Sequence, residues 1–516
     1  MATACADPCT GDLYSVEQLR AIESAALSAL PAGTLMQRAG RAVADAAIAM
    51  LAACNPSNQS KANILIAAGP GNNGGDALEA AGLLANQGHH VYVVMPAVPT
   101  LSASLPSDAQ QALNKAQQSP AHFMDLPSVS SANLHWDLAI DGLFGIGLSR
   151  ALDGDFRKMA QQLNALDCPV LAIDIPSGLD ADHGTVIGTD GIAVHADRTI
   201  SFIANKPGLH TAQGRDYAGV VMLEGLAIDR ALYGPPLAHL NQSALFVHAM
   251  HPRLHASHKG SFGELSLLGG ASGMGGAMLL AARMGAMAGA GRVYAGFIDQ
   301  PPAFDPQHPE LMCRSASTLT LDSGAIVAGP GMGQSSGAQE ALARALSSRL
   351  PLVLDADALN LLALEPSLQQ RLRNRRAATL LTPHPLEAAR LLNVRATQIQ
   401  ADRLQTAHQL ASQYQAVVIL KGSGSVIAAP DGRLVINPTG NPALATAGTG
   451  DVLAGLCGAL LAQQWPAWEA ALAAVWLHGK AADHMVADGI GPLGLTAGEL
   501  LPVIRKELNQ LIAASV

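Results

Sequence analysis

Short apolar runs alternate with helix-patterned segments along the whole chain, and most of these runs end in a glycine-rich or polar loop. In the first half the runs are Ile64–Ala68, Val91–Met95, Leu138–Asp141, Val170–Asp174, Thr199–Phe202 and Val220–Leu223. Helical patterns begin at Ala77 and near Ala109–Gln117 and Phe156–Leu166. Alternation of this kind predicts βαβ units, a mostly parallel sheet and helices on both of its faces. Two helices precede the first of these strands: one capped by Ser15 with Gln18 three residues on, the other from Thr34 to about Ala53.

A second series starts after Phe262, with runs at Glu264–Leu268, Arg292–Gly296, Ala325–Ala328, Leu352–Leu354, Leu380–Leu381, Val417–Leu420, Ser425–Ala428 and Leu434–Ile436. Helices are expected near Gln339–Leu346, over Thr397–Gln413, after Gly450 and over Ala467–Val486, the last two closing the chain. The 516 residues exceed one typical domain. The reading is therefore residues 1–230 as one α/β domain, 231–250 as a linker of mixed polarity with prolines, and 251–516 as a second α/β domain. Only 3% of residues are aromatic while 51 are glycine, which suits closely packed layers of small side chains. A net charge of −9 without a basic block argues against nucleic acid or an anionic membrane surface and favours a small-molecule partner. The six cysteines are scattered and form no C-x-x-C, so neither a disulfide framework nor a zinc site is expected. The N-terminal residues have no basic and apolar leader pattern, and the expected compartment is the cytoplasm.

In open α/β sheets, ligands bind outside the carboxyl ends of the strands. Three loops of the first half fall there: GPGNNGGD (69–76), DGLFGIGLSR (141–150) and DIPSGLDAD (174–182). The first lacks both the G-x-G-x-x-G spacing and a P-loop lysine, which disfavours a routine dinucleotide dehydrogenase. Asn73, Asp141 and Ser177 offer hard oxygen ligands for a monovalent or hard divalent cation, though each singly reads as a turn or capping residue. Asp174 follows an apolar strand and is the acid/base candidate, with Lys206 a weaker partner.

The strand ends of the second half carry GPGMG (329–333), DADALN (355–360), TPHPLE (382–387), KGSGS (421–425) and NPTGNPALATAGTGD (437–451). The last runs into DVLAGLCGALLA, read as a helix whose N-terminus lies beside Gly448, Thr449 and Gly450. Backbone N–H groups and the positive end of a helix dipole would then converge where Asp451 could take a proton from a substrate hydroxyl. That pairing serves phosphoryl transfer, although a plain Asp-capped helix reads the same way from spacing alone. Lys421 is a candidate phosphate partner, and His384 between two prolines is as consistent with a structural role as with a substrate contact.

Residues 14–226, through GPGNNGGD, DGLFGIGL, DIPSGLDAD and TISFIANKPGLH, resemble the epimerase domain of the NAD(P)H-hydrate repair enzyme family. From His255 onward, HKGSFG, GGASGMGGAMLLAA, GPGMG, DADALN, TPHP, KGSGS and AGTGD resemble its ADP-dependent dehydratase domain. The resemblance implies an N-terminal Rossmann-like doubly wound sheet and a C-terminal ribokinase-like α/β domain. It implies potassium at Asn73, Asp141 and Ser177, and contacts to the hydrated nicotinamide nucleotide from Asn72, Asn73, Gly74, Gly75 and Asp76, from Gly145, Ile146, Gly147, Leu148, Ser149, Arg150 and Ala151, and from Asp174. In the second half it implies substrate contacts from Ala277, Gly331, Gly333, His384 and Asp451, and nucleotide contacts from Lys421, Gly422, Ser423, Gly424, Ser425 and Gly450.

The implied partners are the NADH and NADPH hydrates and ADP, with Mg2+ on the phosphates, in a homo-oligomer without nucleic acid or membrane. Asp174 and Asp451 are then the catalytic residues of epimerisation and dehydration respectively. Two competing readings are a ribokinase-like small-molecule kinase, which leaves the first half unexplained, and a non-enzymatic nucleotide-binding scaffold in the first half.

Overall fold

The computed structural model describes residues 11–54, 61–96, 105–131 and 134–514. The chain divides into two compact units, residues 1–239 and 240–516.

In the first unit seven strands form one parallel sheet. Their spatial order is His122–Met124, His90–Val94, Asn63–Ala68, Leu138–Gly142, Val170–Ile173, Arg198–Phe202 and Val220–Glu224. The chain winds outward from Asn63–Ala68 in one direction, returns, and winds outward in the other. The switch point, where crevices open in doubly wound sheets, is therefore between Asn63–Ala68 and Leu138–Gly142. The central strands are buried on both faces, which is why they read as unbroken apolar runs. The helices Thr34–Cys54 and Asn72–Asn86 pack on one face through small residues such as Ala39, Val43, Ala47, Ala77 and Ala81. Ser15 caps the Val16–Ala29 helix as a full capping box with Gln18.

The second unit has a larger sheet, ordered Leu434–Ile436, Val426–Ala428, Val417–Leu420, Thr379–Leu381, Leu352–Leu354, Ala325–Ala328, Glu264–Gly269, Arg292–Phe297 and Met312–Ser315. It is parallel except for the two pairings at Val426–Ala428, which are antiparallel. Its switch point lies between Glu264–Gly269 and Ala325–Ala328. The Thr449–Ala462 helix runs through the core, buried at nearly every position because Val, Leu, Ala, Gly and Cys leave no polar face. Among the described residues no helix is long and apolar enough to cross a membrane.

Several expectations need correction. The helix expected from Ala77 begins at Asn72, so residues 72–76 form its first turn and not a loop. The strand expected over Leu138–Asp141 runs one residue further, to Gly142, so the loop read as starting at Asp141 opens after Gly142. The stretch 231–250 is no free linker: it holds the strand Ala238–Leu240, and Phe246 is fully buried in the core of the second unit. The helix expected over Thr397–Gln413 is two, Ala396–Ala401 and Arg403–Tyr414, because Asp402 leaves helical geometry to cap the second. A further helix, Ala497–Ala514, follows Ala467–Ala487. The edge strands His122–Met124 and Met312–Ser315 escaped notice because they carry polar residues and no apolar run.

Candidate active sites at two sheet edges

At the switch point of the first sheet lies a cavity of about 450 Å³. Its floor is the carboxyl edge of the sheet, with Pro70–Asn73, Leu143–Leu148, Asp174 and Phe202–Ile203, and its other wall comes from the Val16–Ala29 and Thr34–Cys54 helices through Glu23 and Met36. Asp174 follows the Val170–Ile173 strand with φ +67°, a conformation that non-glycine residues adopt at a cost and that aims its carboxylate into the cavity. Its Oδ1 is 2.7 Å from Lys206 Nζ and accepts from the N–H of Phe202. Lys206 is buried, with 1% exposure, and its ammonium also donates to Ser201 Oγ and to the carbonyls of Phe202 and Ala204. Lys206, the weaker partner by sequence, is thus a fully coordinated cation and the counter-ion of Asp174.

Three further carboxyls line this cavity, those of Glu23, Asp76 and Asp108. Burial, followed by the charge of Asp174, pushes Asp76 well above the usual carboxylate range. The same two causes, in the same order, raise Glu23. Glu23 was not among the residues picked out by sequence, since a glutamate in a helical pattern carries no signal of which way it faces.

Two of the glycines serve close packing. A Cβ on Gly74 would stand 1.9 Å from the carbonyl oxygen of Gly69, so Gly74 lets the first turn of the helix fold against the strand end. Gly75 packs on Met36 in the same way. Neither is among the residues lining the cavity, while Asn72, Asn73, Asp76 and Gly145 to Leu148 are. Ser149, Arg150 and Ala151 lie beyond that lining.

Asp141 and Ser177 sit beneath the floor. Ser177 donates through its hydroxyl (2.7 Å) and its N–H (2.8 Å) to the two Asp141 oxygens, and Leu143 N–H adds a third bond. Burial drives the Asp141 carboxyl up to about 6 against the pull of those bonds. The Asn73 backbone adjoins Gly142, its side-chain oxygen turns toward Gly145, and its buried Nδ2 has no hydrogen-bond partner among the described residues. An all-oxygen set around a buried carboxylate suits a hard monovalent cation.

In the second unit the strand ends converge likewise. Gly448, at φ +91°, turns the chain into the Thr449–Ala462 helix, placing Asp451 in its first turn. A Cβ on Gly450 would lie 3.5 Å from Lys421 Nζ and 3.9 Å from Asp355 Oδ2, so the glycine-rich turn rests directly against that ion pair. Lys421 Nζ is 2.7 Å from Asp355 Oδ1, which also accepts from Thr382 Oγ1, and 3.9 Å from Glu387 Oε2. Burial pulls the Lys421 ammonium down, but the carboxylates of Asp355 and Glu387 outweigh it and hold the group above its ordinary value. Burial, reinforced by Asp355, pushes Asp451 up to about 7. A carboxyl poised there can take a proton from a hydroxyl near neutral pH.

His384 caps the Pro385–Leu392 helix, its Nδ1 accepting from Leu386 N–H and Glu387 N–H, while Glu387 Oε2 accepts from His384 N–H. The acceptor role of Nδ1 places the ring proton on Nε2. Gly331 abuts Ala277, and Gly333 N–H donates to Asp357 Oδ2. Beneath KGSGS lies a residue that sequence reading missed: Arg403, 1% exposed, donates to the carbonyls of Leu420 and Lys421 and braces Gly422. Asp355 was missed as a partner as well, although its place directly after an apolar strand was a usable signal.

The family model described as YjeF-related protein N-terminus matches residues 32–208, and the model described as NAD(P)H-hydrate dehydratase matches residues 265–504. The bifunctional NAD(P)H-hydrate repair enzyme Nnr of Coxiella burnetii is 36% identical over 508 residues, covering 96% of this chain and 99% of that protein. The Escherichia coli protein of the same name is 35% identical, covering 94% of this chain and 92% of its own length. The ADP-dependent (S)-NAD(P)H-hydrate dehydratase of Neisseria meningitidis is 42% identical over 287 residues, covering 54% of this chain and 97% of that protein. Two doubly wound units, each with a carboxylate–lysine pair at its sheet edge, and similarity over nearly the whole of such relatives lead to one conclusion: the chain belongs to the family of bifunctional NAD(P)H-hydrate repair enzymes.

Proposed function

We propose that the second unit dehydrates the S hydrate of NADH or NADPH at the expense of ADP, and that the first unit interconverts the R and S hydrates so that both reach it. The observation that carries the reading is the placement of Asp451 at a glycine-rich helix start beside the Lys421–Asp355 pair, in a chain whose other unit presents Asp174 and Lys206 in a cavity of its own.

In the second unit Asp451 takes the proton of the C6 hydroxyl as that oxygen attacks the terminal phosphorus of ADP, and AMP leaves. The N–H groups of residues 447–450 and the Lys421 ammonium stabilise the charge that develops on the phosphoryl oxygens. Phosphate then departs from C6, a far better leaving group than hydroxide, and loss of the C5 proton restores the dihydronicotinamide. Ala277, Gly331, Gly333 and His384 hold the hydrate, while Gly422, Ser423, Gly424, Ser425 and Gly450 hold the donor. Among the described residues no group of three or more His, Cys, Asp or Glu side chains could hold a metal. Mg2+ would arrive on the donor phosphates, where it would neutralise their charge.

In the first unit Asp174 exchanges a proton at the C6 hydroxyl, with Lys206 as its counter-ion, and Asn72, Asn73, Asp76 and Gly145–Ala151 fix the nucleotide. Asn73, Asp141 and Ser177 would hold K+, which would neutralise the buried Asp141 carboxylate and stiffen the cavity floor. The protein works on free cytoplasmic hydrates as a homo-oligomer.

The test is absorbance of NADH regained from mixed hydrates on adding ADP. Asp451→Asn is expected to abolish recovery while leaving interconversion of purified R and S hydrates intact. Dehydration retained by this variant would remove Asp451 as the base, and phosphorylated small-molecule products without NADH would favour a kinase.

A further inference from the structure

The carboxyl of Glu23 has no part in the reaction as described so far, yet it lines the same cavity as Asp174. The two approach from different elements: Glu23 from the Val16–Ala29 helix that forms one wall, Asp174 from the carboxyl edge of the sheet. Asp174 has divided duties. Its Oδ1 is held by Lys206 at 2.7 Å, whereas Oδ2 turns toward Gly145, where a Cβ would stand 3.1 Å away. One oxygen is thus anchored and the other faces the glycine-rich cavity loop.

Inverting a hydroxyl-bearing carbon by loss and return of water needs proton-exchanging groups on both faces of the ring, because the oxygen leaves from one face and returns on the other. A single carboxylate at the sheet edge serves one face only. Resting on the epimerase reading above, we propose that Glu23 is the second acid/base residue of that reaction, serving the ring face opposite Asp174.

In one direction the Glu23 carboxyl protonates the C6 hydroxyl as the C6–O bond breaks, the ring nitrogen lone pair forms a C=N+ bond, and water is released. Water then adds to the other face, its oxygen bonding to C6 while the electron pair of the C=N+ bond returns to nitrogen, and the Asp174 carboxylate takes the proton. The hydrate has been inverted, and one proton has moved from Glu23 to Asp174. The reverse direction starts from that state; otherwise the half-buried Glu23 takes a proton from solvent and Asp174 releases one to it, which resets the pair.

The surroundings suit this division. Glu23 meets Arg20 on its own helix, Asp174 and Lys206 at the sheet edge, Asp76 from the Asn72–Asn86 helix and Asp108 across the cavity. Burial first and Asp174 second favour its protonated form, while Lys206 keeps a direct partner for the Asp174 carboxylate. Asp76 is the poorer choice for the role: at 9% exposure it has little path to solvent for resetting.

The experiment uses the full chain, purified R and S hydrates, and the rate of their interconversion above the enzyme-free rate across pH. Wild type is expected to give a bell-shaped profile. Glu23→Gln should lower the rate about 100-fold or more and lose the high-pH limb, because an amide cannot deliver the proton. Glu23→Asp should keep the bell at reduced height. ADP-dependent dehydration of the S hydrate, measured on the same preparations, should be unchanged, and a melting transition of the first unit at its wild-type position reports that this unit is folded. A Glu23→Gln enzyme at wild-type rate, or one slowed with an unaltered profile, overturns the proposal while leaving the epimerase reading in place. Failure of wild type itself to interconvert the hydrates overturns both.

Discussion

Lys421 Nζ and Asp355 Oδ1 lie 2.7 Å apart at the ends of two strands separated by one other in the sheet, with Asp355 2% exposed and Lys421 19%. The pair does two things at once: it fixes a cation against the glycine-rich turn at Gly450, and it places a negative charge where it holds the Asp451 proton.

Asp355→Asn should therefore change two observables in a linked way. Dehydration should fall about 100-fold as Lys421 loses its anchor, while the acid limb of the remaining activity moves to lower pH because one of the carboxylates opposing ionisation of Asp451 is gone. Asp355→Ala should also destabilise the second unit by on the order of 3 kcal/mol, the low end for breaking a buried pair because Lys421 keeps contact with water. Denaturant unfolding and pH profiles of the two variants check this.

The pH dependence of the wild-type dehydration follows from Asp451. A base must be ionised, and this carboxyl is pushed up to about 7, so kcat/KM should fall about tenfold per unit below pH 7 and level off above it. The linked stability has the opposite sense. The folded chain holds the Asp451 proton at pH values where the unfolded chain has released it, so this group's contribution to stability declines as pH rises from the ordinary carboxylate range toward 7. Steady-state kinetics on the S hydrate with saturating ADP, and chemical unfolding over the same range, measure the two.

Gly74→Ala tests the first unit by geometry alone. A methyl group cannot occupy a position 1.9 Å from the Gly69 carbonyl oxygen without moving the strand end or the first turn of the Asn72–Asn86 helix. Epimerisation should be lost along with about 2–4 kcal/mol of stability in that unit, with the size set by how far the turn can shift. ADP-dependent dehydration should persist. Epimer interconversion and a two-probe melting curve check the outcome.

The central strand runs, capping at Ser15, the start of the helix at Gly448 and most of the loops at strand ends were legible, because period, turn chemistry and caps are local properties of the chain. Asp174, Asp451 and Lys421 could be picked out for the same reason: each sits at a fixed place after a strand or at a helix start. What remained hidden depends on which distant segments meet. Glu23 and Arg403 look like ordinary surface residues of helices until the sheet edge is built against them. Lys206 is a stronger partner of Asp174 than its spacing implies, because Asp174 and three further oxygens close around it.

The sequence by itself thus determined two parallel α/β sheets and the loops that carry their chemistry, since periodicity and glycine placement act over a few residues at a time. Only the tertiary structure decided that Asp141 is a fully buried carboxylate bonded by Ser177, that residues 72–76 open a helix, and that Asp355 governs both Lys421 and Asp451. Burial and charge coupling are set by neighbours brought together through the strand order, and those neighbours are hundreds of atoms apart along the chain.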